Sequence, residues 1–149
     1  MKIAIGCDAA GYVLKETVIG VLNKLGYKYT DFGTMNEESC DYPDFAIAVA
    51  EGVAEKRFDK GILLCGTGIG MAICANKIKG IRAAVCGDEF SAKATASHND
   101  SNVLAVGGRV VDKDTAAKIV HAWLTTPYEG GRHQRRIDKI TEVEKKYFK

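Results

Sequence analysis

The chain predicts one α/β domain spanning residues 1–149, with a five-stranded parallel sheet doubly wound by helices on both faces. Three observations point there. Five strand-like runs are each too short to be a helix. Between them lie longer stretches whose apolar residues recur at helical spacing. Glycines cluster where the runs give way to those stretches.

Ile3, Ala4 and Ile5 form the first run, which stops at Gly6. Residues 12–25 follow as a helix, with Val13, Leu14, Val18, Val21, Leu22 and Leu25 on one stripe and Gly26 placed to close it. Residues 27–32 predict the second strand, and residues 44–56 the second helix through Phe45, Val49, Ala50 and Val53. Residues 61–65 are a continuous apolar strand, as expected when both faces of a sheet are covered. The theme repeats with helix 69–77, strand 81–86, helix 89–97, strand 102–106 and helix 112–124, which Asp112 or Asp114 could cap. A charged helix over 132–147 ends the chain, and both prolines, Pro43 and Pro127, fall in connections. The whole is Rossmann-like.

Bulk properties bound the function. The 149 residues are 46% hydrophobic and 27% charged, as expected of a globular domain able to bury its own core. A net charge of +2 gives no ground for a nucleic-acid or membrane partner, and no apolar run is long enough to span a bilayer. Five cysteines form no C-x-x-C pair, and Met1 leads straight into the first strand without a signal-peptide pattern. Both features predict reduced thiols and a cytoplasmic location.

In doubly wound sheets, ligands bind beyond the carboxyl ends of the strands. That rule selects Gly6-Cys7-Asp8-Ala9-Ala10-Gly11, Cys65-Gly66-Thr67-Gly68-Ile69-Gly70, Cys86-Gly87-Asp88 and Gly107-Gly108-Arg109. Dinucleotide binding fits poorly: Gly6, Gly11 and Asp31 lack the three-glycine spacing, and Asp8 would face a pyrophosphate. There is no Gly-x-x-x-x-Gly-Lys-Ser/Thr phosphate loop. His98, His121 and His133 match no metal-ligand spacing, so no cofactor or metal is expected.

Three glycines in five residues after the third strand let backbone N–H groups converge on one anionic oxygen. Cys65 stands directly before them, where the positive end of the next helix favours a thiolate. Thiolate and cradle together suit acyl transfer, or proton abstraction beside a carbonyl with the enediolate oxygen held by the amides. The alternative is a small cysteine packed at a tight turn. Cys7, Cys74 and Cys86 read as packing residues, and Cys40 as a loop residue.

Arg132, Arg135 and Arg136 form the basic segment after Gly130-Gly131. Arg132 and Arg136 share a helix face and suit one phosphate; a solvated helix face is the alternative. Arg109 is a third candidate. His98, at a helix end before Asn99 and Asp100, reads either as an acid–base group or as a helix-terminal residue bonding a carbonyl. His121 reads as structural.

Taken together, Gly6-Cys7-Asp8, Asp41-Tyr42-Pro43-Asp44, Cys65-Gly66-Thr67-Gly68-Ile69-Gly70, Ala75-Asn76-Lys77, Gly80-Ile81-Arg82-Ala83, His98-Asn99-Asp100 and Glu129-Gly130-Gly131-Arg132-His133 resemble the B-type ribose-5-phosphate isomerases over nearly the whole chain. The resemblance implies interconversion of ribose 5-phosphate and ribulose 5-phosphate through a 1,2-enediol, without metal or organic cofactor. It implies Cys65 as base, amides 66–70 (Gly66, Thr67, Gly68, Ile69 and Gly70) as enediolate cradle, and Thr67 and His98 in ring opening. Asp8, Tyr42 and Asn99 would bind hydroxyls, and Arg109, Arg132 and Arg136 the phosphate. It also implies a homodimer or tetramer with sites at subunit interfaces.

One position departs from the family pattern: Ala9 stands where the family carries histidine. A methyl makes no charge-assisted hydrogen bond, a loss of about 1.5–3 kcal/mol. It also leaves room for a longer sugar. A six-carbon 6-phosphate substrate, such as allose or galactose 6-phosphate, is therefore the alternative within the same chemistry. A non-catalytic sugar-phosphate binder and a polyanion binder are alternatives outside it.

Overall fold

The computed structural model describes residues 1–149. Its strands are β1 (Lys2–Cys7), β2 (Lys28–Asp31), β3 (Lys60–Cys65), β4 (Ala83–Val85) and β5 (Val103–Gly107). The helices are α1 (Lys15–Leu25), α2 (Tyr42–Ala54), α3 (Ile69–Ala75), α4 (Glu89–His98), α5 (Lys113–Thr125) and α6 (Arg132–Tyr147). All strand pairings are parallel, in the order β2-β1-β3-β5-β4.

The two-residue period of a strand divides the core in two. Ile3, Ile5 and Cys7, Ile62 and Leu64, and Leu104 and Val106 point to the face covered by α1, α4 and α5, where Leu22, Ala96, Ile119 and Trp123 meet them. Ala4, Leu63, Cys65, Val103 and Ala105 point to the other face, against Val49 and Val53 of α2 and Met71 and Ala75 of α3. After β1 the chain passes to the first face and after β3 to the second. The ends of these neighbouring strands therefore form the switch point where such sheets open a crevice.

Local chemistry sets the boundaries. Asp112 caps α5, its Oδ1 accepting from the Thr115 N–H at 2.8 Å, and Asp88 caps α4 through Ser91 at 2.6 Å. Gly26 closes α1 at φ 74°, a left-handed position that costs glycine least. The helix expected over 12–25 opens instead as a 3₁₀ turn, Tyr12–Leu14, with Leu14 N–H bonded to the Gly11 carbonyl at 3.0 Å. α2 begins two residues earlier than expected because Pro43, with its fixed φ and no N–H, fits a first helical turn.

The strand expected over 81–86 is shorter because side-chain amides take over its backbone. Asn102 Oδ1 accepts from Arg82 N–H at 2.8 Å. Asn76 bonds both groups of Ala83, accepting from its N–H at 2.7 Å and donating to its carbonyl at 3.0 Å. Asp31 is also occupied: it pairs with the buried Lys15 Nζ at 2.8 Å and accepts from Gly33 N–H at 2.8 Å. Lys15 donates as well to the Thr34 carbonyl. α6 stands apart from the sheet, with only His133 and Ile137 buried.

Candidate active site

At the carboxyl edge of the sheet, the loops after β1, β3 and β5 interlock. A Cβ on Gly11 would fall 2.1 Å from the Leu64 carbonyl oxygen, so only glycine lets the first loop lie on the end of β3. Asp8 N–H bonds that same carbonyl at 3.1 Å, while Asp8 Oδ1 accepts from Gly11 N–H at 2.9 Å and holds the turn. From the other side, Gly108 N–H reaches the Cys65 carbonyl at 2.7 Å and Arg109 N–H the Gly66 carbonyl at 3.0 Å. Loop backbone is pinned on both flanks of Cys65.

Cys65 Sγ, 5% exposed, accepts a hydrogen bond from Gly68 N–H at 3.1 Å. Gly68 achieves this at φ 82°. The N–H groups of Gly66, Thr67 and Gly70 bond no protein acceptor, and Thr67 Oγ1 accepts from Ile69 N–H at 3.2 Å, which leaves its own proton free to be donated. α3 has only seven residues, so its dipole is small. The directed N–H of Gly68 does the local work that the sequence reading assigned to the helix as a whole.

Three side chains border the loop. The Arg109 side chain runs beside Gly66, its Cδ and Nη1 each 3.5 Å from where a Cβ would stand. The Tyr42 ring lies against Gly70. Ala9, half-buried, follows Asp8, and its neighbour Ala10 sits against Gly66. Asp8, Ala9, Tyr42, Cys65, Thr67, the glycine loop and Arg109 thus gather in one chain.

The other cysteines differ. Cys7 and Cys86 sit in the hydrophobic core on the opposite face from Cys65. Burial pushes each thiol up to about 11, despite the nearby Lys15 in the case of Cys7. Cys74 is also pushed up by burial, and all five cysteines are free thiols. His121, read as structural, is an exposed side chain on α5.

A second cluster lies elsewhere. His98 and Asn99 close α4, shortly before β5 begins at Val103, whereas Cys65 is in register with Gly107 at the far end of β5. Four strand steps separate those ends, about 13 Å. Arg132 and Arg136 lie on the exposed side of α6, and the segment leading into that helix is tied to the end of α4 by Glu129 N–H on the Ser97 carbonyl at 3.0 Å. One chain therefore does not bring His98, Asn99, Arg132 and Arg136 to Cys65.

Within that cluster the His98 and His133 rings stack, with centroids 4.3 Å apart and planes 13° apart. His133 is buried, and the one polar side-chain group beside its Nε2 is Glu129 Oε2 at 3.3 Å. Desolvation, helped by Arg132 and His98, lowers His133 below the usual histidine range, against the pull of Glu129. By composition His98, Glu129 and His133 suit a cation, their donor atoms lying within 4.8 Å. Nearly parallel rings, however, hold their in-plane lone pairs in two separate, nearly parallel planes, which do not converge on one ion. Sequence reasoning gave His133 and Glu129 no role; their i, i+4 spacing beside His98's helix end was the available signal.

A family model described as Ribose/Galactose Isomerase matches residues 3–140. Ribose-5-phosphate isomerase B of Escherichia coli is 50% identical over 145 residues, 97% of this chain and 97% of that protein. D-erythrulose-4-phosphate isomerase of Pectobacterium atrosepticum is 42% identical over 141 residues, 94% and 93% of the two chains. The solved structure of ribose-5-phosphate isomerase B from Clostridium thermocellum matches with a TM-score of 0.96 at 52% identity, covering 99% of each chain.

Proposed function

Because the chain belongs to the ribose/galactose isomerase family, we propose that it interconverts ribose 5-phosphate and ribulose 5-phosphate through a 1,2-enediolate, with Cys65 as the base. The observation that carries this reading is the Gly68 N–H aimed at Cys65 Sγ beside the free N–H groups of Gly66, Thr67 and Gly70.

Ring opening moves the O1–H proton to the ring oxygen, with Thr67 and His98 as the donors and acceptors. In the open-chain aldose, the Cys65 thiolate takes the proton from C2. The freed electron pair forms the C1–C2 double bond, and the carbonyl π pair moves onto O1. The loop N–H groups hold the negative oxygen. A proton passes from O2 to O1, and sulfur returns its proton to C1, giving the ketose with no net oxidation. Asp8, Tyr42 and Asn99 bind hydroxyls, and Arg109, Arg132 and Arg136 bind the phosphate.

A second copy completes the site by bringing its own His98, Asn99, Arg132 and Arg136 to Cys65, in a homodimer or a tetramer built from such dimers. The separation of the two clusters supports this, as do the exposed apolar side chains Ile69, Ile73 and Val110 on and around the cysteine loop. Five unbridged thiols and the phosphorylated substrate support a cytoplasmic location.

The test is ketose formation from ribose 5-phosphate by the purified chain and by Cys65→Ala. The unaltered chain turns over, and the variant loses at least about a hundredfold with its fold intact. Unimpaired turnover by the variant removes Cys65 from the reaction. Ala9 favours one other reading, a six-carbon sugar 6-phosphate, since the methyl leaves space that a larger side chain would fill. A higher kcat/KM on allose 6-phosphate than on ribose 5-phosphate would decide for it.

A further inference from the structure

We propose that His133 is a positioning residue that fixes the ring plane of His98 for ring opening; this rests on the isomerase reading above. His98 needs a fixed orientation to pass a proton between two sugar oxygens, and a histidine is ordinarily oriented by a hydrogen bond to its second nitrogen. Here the His98 nitrogens make no hydrogen bond within the chain, and what its ring meets is the face of His133 at 4.3 Å. Stacking grips a ring by its faces. Both nitrogens of an imidazole lie in its plane, so this grip leaves His98 free to use either one on a ligand.

His133 is itself clamped. It is 4% exposed, its N–H bonds the Gly130 carbonyl at 3.1 Å, and the turn before it is tied to α4 at Ser97. Its buried Nε2 has only the half-exposed Glu129 carboxylate beside it, at 3.3 Å. The groups around it are His98, Arg132 and Glu129, and burial, helped by Arg132, holds His133 below the usual histidine range against the pull of Glu129. Both histidines belong to one chain, so the pair travels as a unit to whichever copy's Cys65 it serves.

The experiment separates ring opening from enediolate formation. Ribulose 5-phosphate has its O5 blocked by phosphate and enters as the open chain, so exchange of its C1 hydrogen with D2O needs Cys65 and the amides but no ring chemistry. His133→Ala should lower conversion of ribose 5-phosphate at least about tenfold while C1 exchange stays within about threefold. His133→Phe, which restores a flat ring without nitrogens, should return conversion to within about threefold of the unaltered protein. Equal loss of conversion and exchange in His133→Ala would overturn the proposal, as would unchanged conversion, or a Phe variant no better than Ala. If the unaltered protein shows neither conversion nor exchange, the isomerase reading fails and the proposal with it.

Discussion

The ring of Tyr42 occupies the space that a side chain on Gly70 would need: a Cβ there would stand 2.7 Å from Cε1 and Cζ. The contact joins the first turn of α2 to the loop after β3, and so places the tyrosine beside the candidate amide cradle. A Gly70→Ala substitution has to move the ring. We expect KM for ribose 5-phosphate to rise several-fold with a smaller change in kcat, as measured by steady-state kinetics, since the role proposed for the tyrosine is to bind hydroxyls and not to touch the reacting hydrogen.

The wide separation of Cys65 from His98 gives a complementation test. Cys65→Ala and His98→Ala, each inactive as a pure protein, should regain activity when unfolded and refolded together. A dimer of one chain of each kind holds one intact site and one doubly altered site, so random mixing restores about a quarter of full turnover. No recovery on mixing would mean that each site draws all its residues from one chain.

Lys15 and Asp31 are buried together, their side chains 7% and 16% exposed. Removing one charge strands the other. Lys15→Met should cost about 3 kcal/mol in denaturant unfolding, and Lys15→Met with Asp31→Leu should recover part of that loss. An unchanged unfolding midpoint in the single variant would show that the ion pair contributes nothing net.

The lowered His133 group makes stability sensitive to acid. Its folded value lies below the ordinary 6.5, so between the two the unfolded chain binds more protons than the folded one. Stability from this group is present above pH 6.5 and is lost as pH falls through the folded value. Thermal midpoints between pH 7.5 and pH 5 should therefore fall less steeply in His133→Phe than in the unaltered protein.

Periodicity made most of the architecture legible. The apolar runs at Ile3, Ile62 and Leu104 locate the three central strands, because burial on both faces leaves little room for polar residues, and the helical stripes between them locate most of the helices. Boundaries were less legible where a side chain stands in for backbone, as Asn102 does at Arg82. The glycine loop and Cys65 could be read because their chemistry is local in sequence. That His98 lies at the opposite edge from Cys65 depends on which end of β5 each one meets, and strand direction and register carry that information. The stack of His98 on His133 depends on how α6 leaves a double-glycine turn, which no periodicity encodes.

Asn76 has a consequence beyond its own helix. By donating to and accepting from Ala83, its amide imitates one residue of a sixth strand along the open margin of β4. A foreign chain seeking to extend the sheet at this edge must first evict that amide, so strand addition there meets an occupied position at Ala83.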